Sequence, residues 1–111
     1  MTLVLLFPGY ARAEPRWLSC TYNDQGGKQH ALAVMFDQDR NVAALFEDGS
    51  MIEGANTSIT FQAIRSRFRR FFLTYNRNDG TLALAMTGGG FTAGMLHGSC
   101  RRSVPPPGAP R

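Results

Sequence analysis

The sequence predicts an all-β fold, a small antiparallel β-barrel or sandwich of about eight short strands with one disulfide. Apolar and polar residues alternate along most of the chain, as in strands that are buried on one face. Clusters of glycine, asparagine and aspartate separate these runs, as turns do. Two cysteines, Cys20 and Cys100, bracket the alternating region. No window of about ten residues shows the 3.6-residue apolar period of an amphipathic helix.

The first half of the chain contains four predicted strands, in which apolar side chains recur at every second position. Their apolar sets are Leu18, Cys20 and Tyr22; Leu32, Val34 and Phe36; Val42, Ala44 and Phe46; and the short run 51–53. The Asp48-Gly49 step predicts a tight hairpin, because both residues tolerate positive φ angles.

The second half continues the pattern after a basic connection expected at residues 65–67. Its apolar sets are Ile59, Phe61 and Ala63; Phe71, Leu73 and Tyr75; Leu82, Leu84 and Met86; and a glycine-punctuated run from Phe91 to Cys100. Residues 82–86 are rich in helix formers, but the Asp79-Gly80 turn before them favours a hairpin. The glycines at 88–90 predict a flexible hairpin or bulge, since no phosphate-loop lysine follows them.

The two cysteines most simply form a disulfide, because an exported domain of this size meets an oxidising environment. Two buried free thiols are the alternative. A metal site is disfavoured, because Cys20, Cys100, His30 and His97 offer no ligand pair at short spacing. We expect no metal and no cofactor.

The N-terminal segment predicts export to a periplasmic or secreted location. Residues 2–7 are almost entirely apolar, and Ala11 and Ala13 precede Glu14 as in a signal-peptide cleavage site. No basic residue precedes the apolar run, so residues 1–13 are expected to be a signal peptide that is truncated or begins upstream. A first buried strand is the alternative. The run is too short for a transmembrane helix, which needs about 20 apolar residues.

The remainder is expected to form one β domain over residues 14–102, followed by a proline-rich disordered tail over 103–111. The chain carries 12 basic and 8 acidic side chains, a net charge of +4. Cleavage before Glu14 would remove one basic side chain, Arg12, and no acidic one. This mild surplus favours anionic partners, but it lacks the charge density of a dedicated nucleic-acid binder.

An arginine-rich stretch is the most unusual local feature of the sequence. Arg65, Arg67, Arg69 and Arg70 lie within six residues and are flanked by aromatic residues. Guanidinium groups match phosphate, sulfate and carboxylate in pairs, so these arginines are candidate ligands for an anion. The alternative is a charged edge strand or turn that prevents sheets from pairing edge to edge. Arg101 and Arg102 would join the surface if the last strand lies beside it.

No catalytic group emerges from the sequence. His97 and Ser99 would share a strand face about 7 Å apart, with no acidic residue to orient the histidine. An enzyme would need converging serine, histidine or acidic groups in the mouth of a barrel. We therefore predict a non-enzymatic binding module whose arginine-rich strand recognises an anionic cell-envelope component or an acidic protein.

The spacing Trp17-x-x-Cys20-x-Tyr22 and the segment Gly98-Ser99-Cys100 resemble small exported bacterial β proteins of unknown function. The layout is similar to that of the membrane-bound inhibitors of c-type lysozyme, which implies a disulfide-linked barrel and, as an alternative function, inhibition of lysozyme or another wall hydrolase. The inhibitory Ser-Gly-x-Gly-Ala-Arg-Tyr loop of that family has no counterpart here, so no inhibitory residue is carried over. Glu14 stands where a lipid-anchored member has a cysteine.

Overall fold

A computed structural model describes residues 15–86 and 94–109. These residues form one antiparallel sheet of nine strands that curls into a nearly closed barrel, with no helix among them. The strands are β1 (Arg16–Asn23), β2 (Gln29–Asp37), β3 (Val42–Glu47), β4 (Ser50–Glu53), β5 (Ala55–Ile59), β6 (Ala63–Arg67), β7 (Phe71–Asn76), β8 (Thr81–Met86) and β9 (Met95–Ser103). The predicted all-β class is confirmed, and of its two forms the structure shows the barrel.

The order of the strands explains how the chain ends meet. The sheet runs β4-β3-β2-β1-β9-β8-β7-β6-β5, so every neighbouring pair but one is consecutive in sequence. The exception is β1 with β9, in which Cys20 lies directly opposite Cys100. The two form a disulfide across a sequence separation of 80, which confirms the predicted pairing.

The barrel interior holds one apolar core built from alternate residues of most strands. Several predicted sets supply it as expected, and the fully buried members include Val34, Leu73, Leu82 and Leu84. In β3 the core residues are instead Ala43 and Leu45. Their neighbours Val42, Ala44 and Phe46 face the other way, because β3 is apolar on both sides and its alternation is ambiguous.

The predicted connection at residues 65–67 is wrong, because these residues belong to β6. The true turn comes earlier, where the Thr60 hydroxyl accepts hydrogen bonds from the backbone N–H groups of Gln62 and Ala63. Phe61 lies in this turn with its side chain 81% exposed. The apolar set 59–63 therefore divides between β5 and β6, which raises the strand number from eight to nine.

The gap that leaves the barrel nearly closed lies between the two edge strands, β4 and β5, and we call it the seam. The two strands are consecutive and meet at Gly54. The Gly54 N–H donates to the Ala43 carbonyl at 2.8 Å. A Cβ at Gly54 would overlap the Ser66 hydroxyl and contact the Phe68 ring at 2.9 Å, so only glycine fits this corner.

The Asn41 side chain in the β2–β3 turn bridges the seam to β5. Its Nδ2 donates to the Thr57 carbonyl at 2.7 Å, and its Oδ1 accepts from the Ile59 N–H at 3.2 Å. The side-chain amide thus replaces a strand peptide beside β5. Asn41 has a φ of 57°, a left-handed conformation that asparagine tolerates better than most residues.

The start of β1 and the segment after β9 both lie near Phe46 on the outside of the barrel. Trp17 faces outward from β1, yet it is only 5% exposed and packs edge-on against Phe46 with ring centroids 6.2 Å apart. The segment after β9 turns where the Ala109 N–H donates to the Pro106 carbonyl, and Gly108 lies close to the Phe46 ring. The signal peptide expected at residues 1–13 stays a prediction, because residues 1–14 lie outside the described part of the chain. The disorder expected at residues 103–111 also stays a prediction. No helix in that part could span a membrane.

Removal of the disulfide should destabilise the barrel strongly. The chain-entropy model assigns the closure of a loop this long about 4.5 kcal/mol, because the unfolded chain loses conformational freedom. We expect the Cys20→Ala/Cys100→Ala variant to lose a large part of that free energy of unfolding in urea titrations. Coincident urea curves for the variant and the oxidised wild type would contradict a stabilising disulfide.

Substitution of Asn41 tests the seam. Asn41→Gly keeps the left-handed conformation accessible and removes two hydrogen bonds, so it should lower the free energy of unfolding by about 1–2 kcal/mol. Asn56 has a similar φ of 53°, and its side chain makes no hydrogen bond to the described residues, so Asn56→Gly is the matched control. Equal urea midpoints for the two variants would show that the Asn41 amide does not hold the seam.

Candidate anion-binding surface

Two of the four predicted arginines lie side by side on the outside of the barrel. Arg65 and Arg67 are exposed and alternate along β6 with the buried Ile64 and Ser66. Residues two apart on a strand share one face, about 7 Å from each other. Neither guanidinium makes a hydrogen bond or ion pair with another residue of the described part of the chain.

The other two predicted arginines lie in the β6–β7 turn and are already engaged by the protein. Arg70 Nη2 lies 2.6 Å from Glu47 Oε2, and its guanidinium is 5.5 Å from the centroid of the Phe71 ring. Arg69 also makes an interaction of its own. The structure therefore separates the four predicted arginines into two on β6, Arg65 and Arg67, and two in the turn that interact within the protein.

Cross-strand pairing places further groups beside this pair. Arg65 lies between Ser58 of β5 and Thr74 of β7, and Arg67 lies opposite Phe72. Phe72 is 38% exposed, although most large apolar side chains are buried. We call Arg65, Arg67, Ser58, Thr74 and Phe72 the arginine face.

An apolar row continues from the arginine face across the outside of the sheet. Phe72 pairs with Ala85, which pairs with Met95, and the Met95 side chain is 54% exposed. Alternation along β7 puts Phe72 on the opposite face from Phe71, but alternation alone does not put it beside Arg67. The register that brings Phe72 opposite Arg67 is set by the short β6–β7 turn, in which the Phe68 N–H donates to the Phe71 carbonyl. The length of this turn is the signal in the sequence that could have predicted the contact.

Arg101 and Arg102 do not join the arginine face. Both lie in β9, and β8 and β7 separate that strand from β6. Neighbouring strands are about 4.8 Å apart, so the distance across three steps of the sheet is roughly 14 Å. Arg102 instead lines a cavity at one end of the barrel.

The two histidines lie on different strands, His30 on β2 and His97 on β9. His97 and Ser99 lie on the outer face of β9, opposite Ala83 and Thr81 respectively. No three His, Cys, Asp or Glu side chains of residues 15–86 and 94–109 group so that they could hold a metal ion. The glycines at 88–90 lie outside the described residues.

His30 belongs to a polar cluster that shapes the β1–β2 loop. The Asp24 carboxylate accepts hydrogen bonds from the N–H groups of Gly26 and Lys28, both at 2.9 Å, and lies 2.8 Å from His30 Nε2. The His30 ring stacks on Tyr22. The hydrogen bond with His30, followed by that from Lys28, holds the pKa of Asp24 below its ordinary value. The cluster orders a turn and presents no unused group.

Comparisons with protein-family models, with curated proteins and with solved structures found no significant match to this chain.

The Asp24 cluster predicts a pH dependence of stability. Because folding lowers the pKa of Asp24, its contribution is complete above the ordinary value of 3.8 and is lost as the pH falls through the lower pKa of the folded state. Urea titrations should therefore find Asp24→Asn less stable than wild type at pH 7, with the difference shrinking towards pH 2.

Asp48→Asn, which changes an exposed carboxylate in the β3–β4 turn, is the control for the loss of a negative charge. If the stability difference between Asp24→Asn and wild type were the same at pH 7 and pH 2, the hydrogen-bonded carboxylate would not be its source.

Proposed function

We propose that this protein is a non-enzymatic binding protein that recognises an anionic polymer or an acidic partner through the arginine face. The single observation that carries the proposal is the pair Arg65 and Arg67, held side by side on a rigid strand without a carboxylate partner in the described structure. An anion placed between the two guanidinium groups would relieve their mutual repulsion and accept paired hydrogen bonds.

The shape of the arginine face favours an extended ligand. The face is the outside of a barrel and offers no enclosing walls, so a small anion would make few contacts there. An extended polyanion or an acidic protein surface could contact both arginines and also cover Phe72 and Met95. The cations are exposed, so such binding should weaken as salt is added.

The proposal includes export of the protein, so that binding takes place outside the cytosol. A disulfide in a small β domain is compatible with an oxidising compartment. A periplasmic or secreted location would bring the arginine face to anionic components of a cell envelope. Inhibition of a wall hydrolase stays a prediction of the resemblance, and the arginine face does not depend on it.

Salt-gradient elution from heparin tests the proposal. We expect Arg65→Ala/Arg67→Ala to bind roughly tenfold more weakly than wild type at low salt, because each exposed charge contact contributes up to about 1 kcal/mol. Arg65→Lys/Arg67→Lys retains both charges but not the planar guanidinium forks, and it should fall between the two.

The matched control is Lys28→Ala/Arg101→Ala, which removes two exposed positive charges outside the arginine face. It should elute close to wild type. Identical elution of the two double alanine variants would mean that net charge alone governs retention, and the arginine face would then have no special role.

A further inference from the structure

A second group of arginines lines a cavity at the end of the barrel where β1 begins and β9 ends. The cavity has a volume of about 1160 Å³ and is open to solvent. Arg16, Arg77 and Arg102 all line it. We call it the mouth cavity; none of its arginines belongs to the arginine face.

Strand register brings these distant arginines together. Arg16 pairs with Phe36 and Arg102 pairs with Leu18, so both arginines lie on the face of the sheet that carries the core. The pairing of β9 with β8 ends at Ser99, and Arg102 therefore extends beyond the β8 edge. There the β7–β8 turn supplies Arg77.

Arg77 is held in place by neutral partners. Its Nη1 donates to the Thr60 carbonyl at 2.7 Å and to Gln38 Oε1 at 3.2 Å, while its guanidinium lies 5.4 Å from the centroid of the Phe36 ring. None of these groups is a carboxylate. A fixed guanidinium loses little conformational entropy when it binds an anion.

The charge of the mouth cavity is unbalanced. Arg16 and Arg102 are exposed and form no ion pair with the described residues. Glu53 is the one acidic residue among the described residues that line the cavity. Glu53 pairs with Ala44, and the same cross-strand row continues through Met35 to Trp17. This row lies on the outward side of the sheet. Arg16 and Arg102 lie on the opposite side, which carries the core.

The remaining wall is mainly apolar. From the arginines the cavity extends over the outer face of the sheet, where Trp17, Met35 and Met51 form its floor and the segment after β9 borders it at Val104. Methionine side chains adapt to irregular apolar ligands. Cationic groups at the barrel end and an apolar floor beside them match a molecule with an anionic head and a hydrocarbon chain.

We propose that the mouth cavity binds a single-chain amphiphilic anion. Arg16, Arg77 and Arg102 hold its carboxylate or phosphate, and its chain lies on the partly exposed Met35 and Met51. The volume suffices, because pockets for ligands of drug size measure about 300–1,000 Å³. The head is stabilised by positive charges that line the same cavity, and the chain by removal of apolar surface from water.

Calorimetric titration below the critical micelle concentration tests this site. The probes are dodecanoate and dodecyl phosphate, with dodecyl maltoside as the neutral control and dodecyltrimethylammonium as the cationic one. We expect saturable binding of one anion per chain and at least tenfold weaker binding of the two controls. The stronger of the two anions identifies the head group as carboxylate or phosphate.

Variants separate the mouth cavity from the arginine face. Arg16→Ala/Arg102→Ala should weaken anion binding at least tenfold, Arg16→Lys/Arg102→Lys should restore part of it, and Arg65→Ala/Arg67→Ala should leave it unchanged. Urea titration of each variant checks that the barrel is intact. Three results would overturn the site: neither anion binds, the neutral and cationic controls bind as tightly as the anions, or Arg16→Ala/Arg102→Ala binds as tightly as wild type. None of these results would change the expected retention on heparin.

Discussion

The fold depends on the pairing of its first strand with its last. Strands β1–β4 and β5–β9 are two meanders in which each strand lies beside its sequence neighbour. Only the β1–β9 ladder makes them one sheet, and it requires the chain to close a loop over a separation of 80 residues. Loop closure of this length costs entropy before any contact forms. A covalent bond in the middle of the ladder, between Cys20 and Cys100, removes most of that cost from the folding reaction.

The same ladder also creates the surface chemistry of one barrel end. Arg16 begins β1 and Arg102 stands near the end of β9, so their strands bring together residues from opposite ends of the folded chain. The seam between β4 and β5 is held by two other residues. Gly54 turns the chain from one edge of the sheet to the other, and the Asn41 side chain hydrogen-bonds to β5. Edge strands with free N–H and C=O groups invite pairing with other chains, and the Asn41 amide occupies two such groups on β5.

Alternation and turn chemistry were sufficient to predict much of this fold. The inward faces of β2, β7 and β8 follow from the sequence, because most of the large apolar side chains of those strands fall on one face. The Cys20–Cys100 disulfide follows because the chain has only two cysteines. In β3 both faces are apolar, so the sequence could not show that Ala43 and Leu45 enter the core. The turn at residues 60–62 was missed because Phe61 continues an apolar alternation even though it is exposed.

The candidate sites were predictable only in part. Local spacing identified Arg65 and Arg67, since residues two apart on one strand share a face. It could not show that Arg70 is neutralised by Glu47, because that contact joins residues 23 apart. The grouping of Arg16, Arg77 and Arg102 depends on the register of β9 and on the position of one turn. No local pattern in the sequence encodes either of these.

The position of Trp17 has a practical consequence. It is the one tryptophan of the chain, and it packs against Phe46 on the outer wall and not in the barrel core. Its fluorescence therefore reports on the outer wall near the chain ends, whereas the exchange of amide hydrogens in β7 and β8 reports on the interior. Comparison of the two signals would reveal whether the ends of the chain detach before the barrel opens.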